Sequence, residues 1–96
     1  MAWIFEIKDK SGRKIHLSDE RWKHITKEHS VLANRMEDIK DVLSNPLSIK
    51  TSKYDENVRY YYKYHKKLSK YLMVSVKYLN GEGFIITAFY TGKLEK

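Results

Sequence analysis

Two histidines on one helix, a lysine inside an apolar strand and a threonine in the strand after it are the side chains of this sequence best suited to chemistry. His24 and His29 stand five positions apart, about 140° around a helix axis, so they cannot face one ion as residues four apart do. Neither belongs to a His-Glu-x-x-His arrangement, and the chain has no cysteine, which argues against zinc. His29 falls in the apolar stripe of Trp22, Ile25 and Leu32, near a helix C-terminus whose dipole favours a cation. Its plainest use is as a packed imidazole. His24 flanks that stripe, at the border of core and solvent, where a proton-transferring imidazole belongs. The plain alternative is a surface histidine near Arg21 and Glu28. Lys77 shares a strand with Leu72, Val74 and Val76. A cation there is costly unless it meets an anion, and no acidic residue neighbours it in sequence. A snorkelling edge lysine is the alternative. Thr87 lies across the Asn80-Gly81 turn, within reach of Lys77 over a strand pair. His16 and His65 are lone strand histidines with many ordinary uses.

The second signal is the run Val58-Arg59-Tyr60-Tyr61-Tyr62-Lys63-Tyr64-His65-Lys66-Lys67. Tyr and Val favour a pleated, half-buried backbone. The period of two places Val58, Tyr60, Tyr62 and Tyr64 on one face and Arg59, Tyr61, Lys63 and His65 on the other. The first face is expected to pack on a core. The second then shows cations, a phenol and an imidazole to solvent, a mixture suited to phosphates carrying bases and sugars. A solvated strand kept from aggregating by its charges is the competing reading.

There is no Gly-rich phosphate loop and no carboxylate cluster suited to magnesium; Asp38 and Asp41 read as helix-surface residues. Bases and cations are concentrated instead. Cleavage of RNA can proceed on such a set without a metal. The ribose 2′-hydroxyl is an internal nucleophile, and the protein supplies a base, an acid, and cations or donors for the phosphoryl oxygens.

These groups need a scaffold, and 96 residues with 42% hydrophobic content suffice for one domain, 1–96, with one core. The net charge of +7 favours an anionic partner. No run approaches the roughly 20 apolar residues of a membrane span, and the first ten residues lack the apolar core of a signal peptide, so the expectation is a cytoplasmic protein that does not enter membranes. Alternation over Trp3 to Lys8 and Lys14 to Leu17, around the turn residues Asp9 to Gly12, predicts a hairpin. Ser18 is an N-cap with Asp19 and Glu20 behind it, opening a helix whose stripe runs to Leu32. A second helix follows Asn34, with Glu37 completing a capping arrangement, and ends at Asn45-Pro46. Four strands follow: Leu47 to Ser52, Val58 to Lys66, Tyr71 to Leu79 and Gly83 to Thr91. Asn80-Gly81 joins the last two as a hairpin. The class is α+β with an antiparallel sheet: an N-terminal hairpin, two helices, then a four-stranded meander. Residues 53 to 57 and the final Lys93-Leu94-Glu95-Lys96 are the expected mobile parts.

The series Leu17-Ser18-x-Glu20-Arg21-Trp22-x-His24-Ile25-x-x-x-His29, Asp38-Ile39-x-x-Val42-Leu43-x-Asn45-Pro46, Tyr60-Tyr61-Tyr62, Val74-Ser75-Val76-Lys77 and Ile85-Ile86-Thr87-Ala88-Phe89-Tyr90-Thr91 resembles the small phage- and mobile-element-associated nucleases of the barnase/EndoU/colicin/RelE-like group. The resemblance covers roughly residues 14 to 92 and rests on the spacing of the whole series. Ser30 departs from it where a proline is expected. It implies two helices packed on one sheet face and a toxin-like, metal-independent endoribonuclease without a cofactor. Carried over residue by residue, it points to His24, His29, Lys77 and Thr87 as catalytic. His24 would be the acid or base, Lys77 the phosphate stabiliser and Thr87 a donor, with His29 orienting the site. Arg59, Tyr61, Lys63, His65 and Thr91 would bind RNA. An acidic antitoxin or immunity protein would be the protein partner. The alternatives are a non-catalytic RNA-binding module of the same fold and a phage-related factor that binds an acidic protein.

Overall fold

A computed structural model of the chain describes residues 3–92; the four C-terminal residues expected to be mobile lie outside them. Strands β1 (Trp3–Lys8) and β2 (Lys14–Ser18) form the hairpin. Helix α1 (Asp19–Glu28), a 3-10 turn (Ser30–Asn34) and helix α2 (Met36–Ser44) follow. Then come β3 (Ser48–Thr51), β4 (Val58–His65), β5 (Lys70–Leu79) and β6 (Glu82–Thr91). All strands join one six-stranded sheet in the order β1-β2-β6-β5-β4-β3. The α+β class and the succession of elements are as expected.

Local chemistry sets most boundaries. Asp9 folds the first turn: its Oδ1 accepts from the Ser11 and Arg13 backbone N–H groups at 2.9 and 3.0 Å and from Ser11 Oγ at 2.7 Å. Ser18 Oγ accepts the Arg21 N–H at 3.1 Å and caps α1. That helix ends earlier than the stripe suggests. His29 leaves helical geometry, and the 3-10 turn carries Leu32 into the core instead. Asn34 is consumed by that turn, so α2 begins after Arg35 without the expected side-chain cap. Asn45 closes α2, its N–H bonded to Asp41 O at 2.8 Å, and Pro46 prevents continuation. Asn80 and Gly81 take φ of 54° and 81°, the left-handed pair of a two-residue hairpin turn.

One pairing departs from the antiparallel expectation. β2 runs parallel to the start of β6, through Ile15↔Gly83 and His16↔Phe84. Because β2 passes directly into α1, its outer edge is left for the last strand of the chain. Gly83 permits the approach: a Cβ there would lie 3.1 Å from Ile15 Cγ1 of β2, and 2.9 Å from side-chain atoms of Tyr78 and Val76 on β5. His16 reinforces the seam. Its ring is buried between Trp3 and Phe84, with centroids 4.5 and 5.3 Å away. Its Nε2 bonds Glu82 Oε1 at 2.8 Å, and its Nδ1 lies 2.8 Å from Glu6 Oε2 as a charge contact outside hydrogen-bond geometry. Strands β1 and β6 are thereby tied through β2.

Both helices cover one face of the sheet. Ile25 of α1, Leu32, and Ile39, Val42 and Leu43 of α2 close on Ile15, Leu17, Leu72, Val74, Val76, Ile85 and Ala88. Fully burying each large aliphatic side chain is worth roughly 1.5–3 kcal/mol. The register then fixes the faces of β4. Tyr61 pairs with Val74 and Lys63 with Leu72, so Arg59, Tyr61, Lys63 and His65 point toward the helices. Val58, Tyr60, Tyr62 and Tyr64 lie on the uncovered face. This reverses the expected sidedness of the strand. The physical reason is α2, whose Asp38 and Asp41 turn toward the sheet and supply counter-charges to the cationic row.

A second departure is a bulge in β6. Ser75 pairs with Thr87, but the next residue, Val76, pairs with Ile85. The extra residue, Ile86, breaks the alternation. Ile85 and Ala88 both enter the core, while Ile86 and Thr87 stand side by side on the uncovered face. Bulges re-aim side chains in this way.

Candidate functional site

The uncovered face carries a groove of about 710 Å³. Lys50 and Thr51 of β3, with Ser52, Lys53, Tyr54 and Asp55 of the following loop, line one side. Val58, Tyr60, Met73 and Ser75 line its middle, and the bulged segment Ile86-Thr87 with Phe89 closes the other side. Thr87 faces Ser75 directly across the β5–β6 pair. Lys77 is two residues further along the same face of β5, about 7 Å on. Among the described residues Lys50 and Lys53 form no salt bridge.

The loop over residues 53–57 is firmly tied, contrary to the looseness expected of it. Ser52 Oγ accepts the N–H groups of Tyr54 and Asp55 at 3.1 and 3.3 Å. The Tyr78 N–H donates to Asn57 O at 2.8 Å, and the Arg59 guanidinium bonds Glu56 O. This order supplies the anion that Lys77 lacks in sequence: Lys77 Nζ lies 3.0 Å from Asp55 Oδ2. The Asn57 N–H, then Lys77, hold the Asp55 carboxyl below its usual range. Lys77 keeps a side-chain exposure of 41%, so it is held by Asp55 and still open to solvent.

Of the residues singled out in sequence, Thr87 lines the groove and Lys77 borders it through Asp55. His29, the C-cap residue of α1, does not line it but neighbours a residue that does: its half-buried ring is 5.7 Å from the ring of Phe89. His24 does not meet them. It stands 58% exposed on the outer surface of α1, with Nε2 2.9 Å from Glu28 Oε1. There it shares a shallow surface depression with Arg21, Lys23 and Lys27. Thr91 lies at the far end of the uncovered face, opposite Tyr71.

Arg59, Tyr61, Lys63 and His65 stand on the helix-covered face, most of them engaged with acids or phenols. Lys63 Nζ is 2.7 Å from Asp41 Oδ2, and that ion pair lowers the Asp41 carboxyl. His65 Nε2 is 3.4 Å from Asp38 Oδ2, and Arg35 approaches the same carboxylate at 3.7 Å. Tyr61 is buried, its hydroxyl bonded to that of Tyr78, which donates to Asp9 Oδ2 at 2.8 Å. Burial raises both phenols. Burial alone would raise Asp9 too, but bonds from Ser11, Tyr78 and Arg13 outweigh it and hold its carboxyl below the usual 3.8. The Arg13 guanidinium sits 3.8 Å from the centre of the Tyr78 ring. This is a closed polar network that ties β1, β4 and β5 together.

Sequence reasoning missed Lys50, Lys53, Tyr54, Asp55 and Ser75. The usable signal was Ser52-x-Tyr54-Asp55-x-Asn57, a set of turn formers that orders a loop rather than loosening it. Among the described residues no group of three His, Asp or Glu side chains is arranged to hold a metal ion. No described helix is long and apolar enough to cross a membrane.

The groove therefore joins a hydroxyl pair, two lysines and aromatic walls on a strongly basic chain, with Lys77 and His29 each against a lining residue. That is an arrangement for an anion bearing rings. No curated protein and no solved structure gives a significant match to this chain. Residues 5–96, however, match the family described as phage-Barnase-EndoU-ColicinE5/D-RelE like nuclease2, and the chain belongs to that nuclease family.

Proposed function

We propose that this nuclease is a toxin-like, metal-independent endoribonuclease whose substrate lies in the groove on the uncovered sheet face. The observation that carries the reading is the convergence there of Thr87, Ser75 and the Lys77–Asp55 pair, with uncommitted Lys50 and Lys53 on the rim. The reaction draws on the substrate's own nucleophile. A base takes the proton of a ribose 2′-hydroxyl, and O2′ forms a bond to the adjacent phosphorus. The bond from phosphorus to O5′ breaks, and an acid returns a proton to O5′. The products are a 2′,3′-cyclic phosphate and a 5′-hydroxyl. Lys77 stabilises the charge that develops on the non-bridging oxygens, and Thr87 donates to one of them. His29, beside Phe89, is the better placed proton carrier; His24 serves only if substrate also crosses α1. The chain's charge suits an acidic antitoxin or immunity protein as its keeper.

The test is incubation of purified protein with total RNA and with tRNA, with and without EDTA. Cleavage that persists in EDTA and leaves cyclic-phosphate ends is expected. Activity abolished by EDTA and restored by zinc or magnesium would sink the mechanism. One observation favours a second reading: Asp55 already neutralises part of the Lys77 charge, as would suit a non-catalytic RNA-binding module. Tight RNA binding without cleavage of any RNA would select it.

A further inference from the structure

We infer that Tyr54 is a stacking platform for an unpaired base of the substrate, with Lys50 and Lys53 taking the phosphates beside it. This rests on the RNA reading above and names the form of RNA. Tyr54 is 96% exposed, which leaves a large ring in water. Its backbone is nonetheless fixed, by the bond from its own N–H to Ser52 Oγ and by the return bond from the Ser52 N–H to Val58 O at 3.0 Å. A solvent-facing phenol on a fixed backbone at the mouth of a groove has only two side-chain torsions to settle on binding and offers a flat face to any base. Tyr60 lies directly across from Lys50 in the β3–β4 pair, so a second ring flanks the same cation. The neighbouring Asp55 holds Lys77. A base on Tyr54 therefore brings its own phosphate toward Lys77. Bases inside a duplex are already stacked on each other and cannot use such a platform, so the subsite selects single-stranded RNA.

The experiment uses a fluorescein-labelled 2′-O-methyl RNA oligonucleotide, which lacks the attacking hydroxyl, as a single strand and as a blunt duplex. Fluorescence anisotropy gives Kd for wild type, Tyr54→Ala and Tyr54→Phe. Tyr54→Ala should weaken single-strand binding about tenfold, the scale of one lost base stack, and leave duplex binding unchanged. Tyr54→Phe should bind as wild type does. With cleavable RNA, Tyr54→Ala should raise KM and leave kcat in place. Unchanged single-strand affinity in Tyr54→Ala, or an equal loss on duplex, would overturn the platform. Cleavage by wild type with an unaltered KM in Tyr54→Ala overturns the platform alone. Tyr54-dependent binding by a protein that cuts no RNA supports the platform and overturns the nuclease mechanism alone.

Discussion

On the helix-covered face of the sheet, Lys63 and His65 meet Asp41 and Asp38 of α2, and Tyr61 and Tyr78 converge on Asp9. On the uncovered face Lys50 and Lys53 meet no carboxylate among the described residues, Tyr54 stands in solvent, and Lys77 has a single acidic partner from a loop. The same residue types, cations and phenols, thus serve opposite ends a strand's thickness apart. Under the helices the buried Asp9 carboxyl must be satisfied from within, because an unpaired buried charge is costly, and the part-exposed Lys63 is matched by an acid of α2. In the open groove it stays available to an anion brought by a partner. A basic chain's net charge therefore says nothing about where it binds until the internal ion pairs are subtracted.

The sharpest test of that contrast is a pair of alanines. Lys77→Ala should reduce kcat/KM for single-stranded RNA by about 10²- to 10³-fold, the usual effect of removing one group aimed at developing charge. Lys63→Ala should leave activity within a few-fold of wild type. Thermal melts accompany both, and Lys77→Ala should melt close to wild type because its ion pair is more than a third exposed. A Lys63→Ala variant that loses as much activity at an unchanged midpoint would return the substrate to the helix-covered face.

The next effect is on stability and pH, and it belongs to the covered face. Asp9 is buried and accepts bonds from Ser11, Arg13 and Tyr78. Asp9→Ala should cost about 2–3 kcal/mol, the scale of several lost bonds with partners left unsatisfied. In a domain of this size that lowers the midpoint by roughly 10 °C or more. The carboxyl of Asp9 titrates lower when folded than its ordinary 3.8. Its contribution is then present above that value and is lost as pH falls through the depressed one. Melting curves between pH 6 and pH 2.5 should show an acid-side decline that is shallower in Asp9→Asn. RNA affinity at low temperature should be unaffected by either change. An Asp9→Asn variant with the wild-type acid profile would show that other carboxylates carry the acid sensitivity.

Much of this fold was legible because it is written locally. Ser18, Asn45-Pro46 and Asn80-Gly81 each act on their own few residues, and each marks a boundary in the structure. The face of β4 was not legible, since period two divides a strand into two sets without saying which set meets a helix. The deciding residues, Asp38 and Asp41, lie about twenty positions upstream, and their spacing of three placed them equally well toward solvent. The parallel β2–β6 seam depends on Gly83 leaving room for Ile15, whose Cγ1 would lie 3.1 Å from a Cβ there, a contact with no local signature in either strand. The site was half legible. Thr87 and Lys77 stood out by residue type and position, but the Ile86 bulge that turns Thr87 away from Ile85 and the Asp55 partner come from pairing and loop closure. The apolar spacing put His29 in the stripe and His24 at its border; early termination of α1 sets His29 against Phe89 and leaves His24 outside.

The smallest expected effect separates the two faces by salt alone. Each phosphate neutralised on a single strand contributes a slope of about −0.7 in log affinity against log salt. Lys50 and Lys53 line the groove and form no salt bridge among the described residues, so replacing both with alanine should flatten the slope by about 1.4 on the same basis. Arg59 and Lys63 carry equal formal charge, yet Lys63 is bound to Asp41 and Arg59 to the Glu56 carbonyl. A carbonyl leaves the Arg59 charge uncancelled, so their double replacement should flatten the slope by no more than about 0.7, half the effect of the groove pair. Its remaining cost falls on folding, and it is small: the Lys63–Asp41 pair is exposed by a third to a half, which limits it to about 0.2–1 kcal/mol. Affinity for the 2′-O-methyl single strand, measured at four or more salt concentrations for both double variants, reads this directly. Equal flattening in the two would mean that the groove is not the path of the phosphates. Flattening in the Arg59 and Lys63 variant alone would mean that α2 moves aside to admit RNA, and the ion pairs beneath it would then be a latch rather than a floor.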